Sequence, residues 1–390
     1  MLRRRAAAPC RQAAGPCRQA AGLHCAAAAI FGLLALALPG VARPEEVVRI
    51  GVASGQAEVD LSGAGLAAEP LRDGAARVRL PAGRARVRLD GDVLRLDGNP
   101  VEGAGLAFTA TGPIRHGRRD LSGEVEVRRG PQGLEVIDVL PLEEYVAAVA
   151  GAEMPPSFPA EALKAQAVAA RTFAVAKKLE ARDLALDADL GATVLDQVYP
   201  GVGAADPRAR AAAVATRGEV LVFGHRPIEA YFHSSCGGRT ESGAVGLGRD
   251  LPYLRAVDCG HCQAAPRYRW RSIVSAADLG AAGGLGKPAD AARVVRRTPT
   301  GRVERLEIEA GSQRASVSGA DLRKALGWDQ LPSLAFTAKA TPGGFLLEGK
   351  GSGHGAGLCQ WGAAGRARAG QPYRQILAHY YPGTEILKMY

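Results

Sequence analysis

A chain of 390 residues is long enough for one large domain or two ordinary ones, with a substantial buried core. At 47% hydrophobic and 23% charged residues it does not have the make-up of a disordered chain, and its formal net charge is +10. The basic residues are not interleaved with aromatics, which argues against a nucleic-acid partner.

The chain begins with Arg3, Arg4 and Arg5 and carries no acidic residue before Glu45. An apolar run, AAAAIFGLLALAL, occupies residues 26–38, and small residues follow at Gly40 and Ala42. This order predicts a signal peptide over residues 1–42, cleaved after Ala42, and an exported product in the periplasm, cell wall or medium. The run falls short of the ~20 apolar residues of a stable membrane span. Cys25 precedes it, so the pattern of a lipid-anchored protein is absent. Loss of the leader would leave 44 basic and 39 acidic residues, a charge of +5. Such a surface could attract an anionic wall polymer or simply be a solvated mixed-charge surface.

Residues 43–136 read as β structure. VVRIGVA, ARVRLPAG, ARVRLDGDVLRLDG and LSGEVEVRR alternate apolar and polar residues and are punctuated by Gly, Pro and Asp-Gly turns. A small antiparallel sheet or barrel is expected. LEVIDVL, at 134–140, is a further strand, after which Pro141 opens a helix with Leu142, Tyr145, Val146 and Val149 at helical spacing. A second helix begins at Pro159, with Glu161 beside the positive end of its dipole. Leu163, Ala167, Ala170 and Ala174 form a narrow small-residue face, while Lys164 and Arg171 share another with Val168. Glu143, Glu144 and Glu161 read as solvated helix positions.

A third helix is expected after Asp206-Pro207, then a hairpin of EVLVF and IEAYFH. Residues 275–345 form a mixed and less informative insertion. A glycine-rich loop, GSGHGAG, then leads into a helix, and a short helix, YRQILAHYY, follows. Helices set among antiparallel strands make the chain α+β, with a β-rich N-terminal region over 43–136 and a helix-containing domain over 137–390.

Three groups could carry chemistry. GSGHGAG fails as a dinucleotide loop, because no frame keeps the third glycine and no acidic residue follows at ribose-binding distance. It reads instead as backbone that must approach something closely, with His354 and Gln360 projecting from it, or as a tight structural loop. His233-x-x-Cys236 and Cys259-x-x-Cys262 are two short pairs that could each offer two corners of a tetrahedral zinc site. His261 and Cys359 are possible substitutes. Disulfides are the rival reading in an exported chain. Four ligands leave no open position, so the zinc would be structural. A Cys-His hydrolase built on Cys359 with His354 or His379 lacks an orienting partner. The third group is Glu153, which stands between two helices and just before Met154, Pro155 and Pro156.

Together these stretches resemble the family of stage II sporulation protein D and the amidase enhancers. LPLEEYVAAVAGAEMPPSFPAEALKAQAVAARTFA, DQVYPGV, TRGEVLVFGHRPIEAYFHSSCGGRTE, LPYLRAVD, GHGAGLCQWGAAGRA and HYYPGTEI carry the likeness, across residues 137–258 and 351–386. The resemblance implies an exported lytic transglycosylase, a lyase of peptidoglycan glycan strands. Sporulation members act on strands already stripped of peptides. In that family the catalytic glutamate occupies the same E-M-P context, which carries over to Glu153. Lys164, Gln166 and Arg171 match its helix of functional polar residues, and some members bind zinc near H-S-x-x-G-G. Many members carry serine where this chain has Cys236. A transglycosylase can work with one carboxylate, because the sugar's own 6-hydroxyl is the nucleophile; the apolar Met-Pro-Pro turn would help keep that acid protonated. The other branch of the family implies a non-catalytic wall-binding protein that stimulates a cell-wall amidase.

Overall fold

The computed structural model describes residues 46–71, 77–193 and 196–390. The expected signal peptide lies outside these residues. The fold is α+β. Residues 47–141 form an antiparallel sheet of six strands and six strands of a second, larger sheet, whose seventh strand, the short Leu190–Gly191, lies parallel at its edge. Val59, Leu61, Val87 and Leu94 of the smaller sheet pack against Leu106, Phe108, Val125, Val127 and Val136 of the larger, all buried. The alternation read from the sequence therefore produces a two-layer sandwich with a dry centre. The boundary drawn at residue 136 falls inside strand Gly133–Pro141, which runs straight on into the first helix.

That helix, α1 (Leu142–Glu153), and α2 (Ala160–Asp183) each start after a proline, Pro141 and Pro159, with φ near −55°. The ring fixes the entry angle without a side-chain cap. Alanine-rich α2 is the central helix of the chain. Ala167, Ala170 and Ala174 face a core with Ile50, Tyr145 and Val146, while Ala162, Ala165 and Ala169 face another with Leu221, Leu358 and Ile376. The sequence suggested one narrow face, but small side chains let neighbours close around the helix from both sides.

The remaining helices are α3 (Pro207–Ala215), α4 (Gly243–Gly246), α5 (Ala276–Ala282), α6 (Gly319–Leu326), α7 (Gln360–Arg368) and α8 (Tyr373–Tyr380). The expected hairpin is abbreviated. On the hairpin side Glu219–Phe223 meets just the two residues Arg226–Pro227, its other edge is taken by Glu385–Lys388, and Phe232–His233 turns away to run parallel to Leu358–Cys359. The uninformative insertion is well organised. Residues 269–350 form two three-stranded sheets that, with α5 and α6, enclose Val274, Leu279, Leu306, Ile308, Leu322, Phe345 and Leu347. No helix among the described residues is long and apolar enough to cross a membrane.

Candidate active site and four-cysteine cluster

Glu153 is the last residue of α1, where the helix dipole is negative and disfavours a second negative charge. Met154 leaves the helix in an extended conformation and is buried; Pro155 and Pro156 point to solvent. The proline turn thus aims the carboxylate, but its dehydration comes from the chain packed over it. Val198 N–H donates to Oε1 at 3.2 Å and Gln360 Nε2 donates to Oε2 at 3.3 Å. Burial pushes the Glu153 carboxyl above the ordinary range, and these two hydrogen bonds only partly offset it. Gln360 Nε2 also lies 3.5 Å from Oε1 of fully buried Gln166. The amide chain Gln166–Gln360–Glu153 links α2, α7 and α1.

Glu153 stands on the divide between two depressions of about 370 Å³ each. One is lined by Ser234, Gln360 and Trp361 beside Met154 and Phe158. The other holds Asp196, Tyr231, His233, His354, Arg323 and Trp328. In the second, Ala356 N–H donates to His354 Nδ1 at 3.1 Å, so the proton is on Nε2, which donates to the Phe232 carbonyl at 2.8 Å. Burial pushes His354 down to about 4, and the ring is neutral at pH 7. His233 has the opposite tautomer. Its Nδ1 faces the Ala356 carbonyl at 3.0 Å, and its buried Nε2 has no hydrogen-bond partner. Gly353, with φ +109°, passes so close that a Cβ there would sit 2.7 Å from His233 Cβ.

Two of the expected substrate residues are elsewhere. Arg171 is fully buried and grips Glu143 with two hydrogen bonds, at 2.8 and 2.7 Å, while donating to the carbonyls of Ala213 and Glu219. It ties α1 to α2 and α3 and cannot reach a polymer. Glu143, expected in solvent, is its partner. Burial alone would raise that carboxyl, but Arg171 and Tyr390 hold it below the usual range. Lys164 pairs with Glu161 at 2.8 Å and lies over the Tyr373 ring, and it lines neither depression.

Cys236, Cys259, Cys262 and Cys359 gather with all four sulfurs within 4.8 Å of one another. His233, expected as a ligand, faces the Glu153 cavity instead, because the turn after it sends its ring one way and Cys236 the other; Cys359 takes the fourth corner. All four are free thiols, and Cys236 and Cys262 are 3.6 Å apart, far beyond a disulfide bond of about 2.05 Å. That spacing is close to the edge of a tetrahedron with zinc–sulfur bonds of about 2.3 Å. Backbone N–H groups of Cys236 and Gly362 each point at Cys359 Sγ at 3.3 Å, as donors to a thiolate do. Gly362 has no alternative, since a Cβ there would collide with Cys259 Sγ and the Tyr380 hydroxyl. The donor set, its burial and its spacing fit one tetrahedral metal ion.

Asp196, Trp328, Arg323 and Trp361 were not singled out from the sequence. Asp196 and Trp361 lie inside recognised stretches, DQVYPGV and GLCQWGAA, but a lone carboxylate or indole has no spacing to mark it. Trp328 and Arg323 come from the insertion, where nothing in the sequence pointed to the site.

A half-buried acid between two depressions, backed by a tied polar chain, is the candidate site of this α+β protein. Comparison with known proteins narrows this. Residues 131–223 match the family described as stage II sporulation protein, and residues 256–357 match a domain of unknown function. The chain is 36% identical over 257 residues to an uncharacterized protein of Brachyspira hyodysenteriae, covering 65% of this chain and 68% of that protein. It is 32% identical over 267 residues to stage II sporulation protein D of Bacillus subtilis, covering 64% and 75%. An amidase enhancer of Bacillus subtilis is 29% identical over 287 residues, 60% of this chain but 39% of the enhancer. The chain belongs to the stage II sporulation protein D family.

Proposed function

We propose that this chain is an exported cell-wall enzyme, a lytic transglycosylase that cleaves peptidoglycan glycan strands with Glu153 as its acid and base. The observation that carries the reading is the position of Glu153, a carboxyl whose pKa is raised by burial, on the divide between two depressions. A polymer laid across it would have sugar units on both sides of the bond to be cut. Glu153 gives its proton to the glycosidic oxygen as the bond from C1 breaks, and the departing strand keeps that proton as its hydroxyl. The Glu153 carboxylate then takes the proton of the 6-hydroxyl, whose oxygen closes on C1 to give a 1,6-anhydro end, and no water is consumed. Asp196, lining the same depression, offers negative charge to the oxocarbenium-like transition state. Val198 N–H and Gln360 hold the Glu153 oxygens in place between the two transfers.

The four cysteines would hold a zinc ion that serves as a structural clamp, since four thiolates leave no open position. They would orient the segment that carries Gln360, the residue after Cys359.

The test is the protein without residues 1–42 on purified glycan strands, with and without stem peptides, with products examined for 1,6-anhydro ends. Ordinary reducing ends would instead indicate a hydrolase using Asp196 as the second carboxylate. The amidase-enhancer relative favours a second reading, a wall-binding protein that stimulates a separate amidase. Absence of any wild-type cleavage, together with amidase stimulation, would select it. Export is tested by N-terminal sequencing of the secreted protein, expected to begin near Arg43; retention of residues 26–38 would exclude a cleaved signal.

A further inference from the structure

Trp328 is large, apolar and 46% exposed, yet it lines the depression that contains Glu153 and Asp196. It belongs to the segment 256–357, whose match is to a domain of unknown function. The segment is fastened to the site. Arg323 donates to the carbonyls of Leu331 and Pro332 at 3.0 Å, and Gly353 N–H, beside His354, donates to the same Pro332 carbonyl at 2.9 Å. The Arg323 guanidinium lies 5.7 Å from the Trp328 ring centre and backs the indole, which still contributes to the wall of the depression. Among the described residues of this depression, His233 supplies a buried acceptor, Nε2, without a protein partner. An unpartnered acceptor that deep is costly unless a water or a ligand hydroxyl donates to it.

We propose that residues 256–357 complete the active site by supplying a sugar subsite, in which an N-acetylhexosamine ring stacks on Trp328 and a sugar hydroxyl donates to His233 Nε2. A pyranose ring presents an apolar face of C–H groups to an aromatic surface and hydroxyls at its rim, which matches an indole wall with a polar floor. This rests on the glycan-cleaving reading and gives the 256–357 segment a role within it.

Binding and cleavage separate the two. Titrating the protein lacking residues 1–42 with peptide-free glycan strands should change its tryptophan fluorescence, and the change should be largely lost in Trp328→Phe, which keeps a stacking ring but removes that fluorophore. Trp328→Ala should weaken strand binding and raise KM by on the order of tenfold, the scale of one well-packed ring contact, with kcat altered less than about twofold. Trp328→Phe should restore KM to within about threefold of wild type. Because the side chain is exposed, the Ala variant should keep the wild-type circular dichroism. Strand binding and KM unchanged in Trp328→Ala would overturn the subsite while leaving cleavage by Glu153 intact. Conversely, Trp328-dependent binding without cleavage would keep the subsite and remove the transglycosylase. A wild-type protein that binds no strands would overturn both.

Discussion

Gln360 Nε2 donates to Glu153 Oε2 across 3.3 Å, joining the first residue of α7 to the last residue of α1 over 207 positions of sequence. The contact has a sign. A hydrogen bond donated to a carboxylate favours the ionised form, so Gln360 holds the Glu153 pKa below the level that burial alone would set. A general acid works while protonated, so kcat/KM should fall as pH rises through the Glu153 pKa. Replacing Gln360 by Leu removes the donor, and the alkaline limb of kcat/KM should move to higher pH. A pH–rate profile of the two proteins decides it. An unmoved limb in a folded variant would mean that Glu153 is not the group titrating.

Glu153→Gln keeps the size of the side chain and removes the transferable proton. Cleavage of glycan strands should drop at least ~10²-fold, with strand binding within a few-fold of wild type. Glu144→Gln, on the exposed side of α1, should change neither. A Glu153→Gln enzyme with near wild-type kcat would exclude the acid–base role.

How much of this was legible in the sequence depended on how local each signal was. Period-two alternation in residues 47–136 and the proline-led starts of α1 and α2 are local, and the strands and helices formed. What alternation does not encode is which strands close on which, so the expectation was a single sheet or a barrel and the two-sheet sandwich was not foreseen. The site shows the same divide. Glu153 was singled out through its Glu-Met-Pro context, which carries the family resemblance, and the cysteines through their short spacings. His233 and Arg171 were misplaced because only the fold decides which way a side chain turns: two residues separate His233 from Cys236, yet they face different sites. Arg171 shares a helical face with Lys164, but α1 and α3 cover one end of that face and leave the other open.

Arg171 and Glu143 carry a prediction about stability. Both charges are buried, and Arg171 also serves two backbone carbonyls. Arg171→Met would leave Glu143 as an uncompensated buried carboxylate, at a cost of about 3–5 kcal/mol. The double variant Arg171→Met with Glu143→Leu should be less damaging than Arg171→Met alone. Denaturant unfolding of the three proteins checks the order. If Arg171→Met leaves stability unchanged but weakens strand binding, the residue contacts substrate after all.

The four-cysteine cluster and Glu153 meet through two adjacent residues. Cys359 is the N-cap of α7 and contributes a sulfur to the cluster; Gln360, the next residue, holds Glu153. A metal ion bound by the four sulfurs would fix the start of α7 from one side while Glu153 is held from the other. Protein purified without added metal should therefore contain one zinc per chain, and its thiols should react with a thiol reagent only after unfolding or chelation, because all four are buried. Cys262→Ser should lower the melting temperature and the metal content together. It should also reduce cleavage although Cys262 lines neither depression, since the register of Gln360 against Glu153 would be loosened. Metal-free protein that is folded, active and without free thiols would replace the zinc with disulfides. A Cys262→Ser protein that loses its metal yet keeps wild-type kcat/KM would show that the cluster and the acid are mechanically independent.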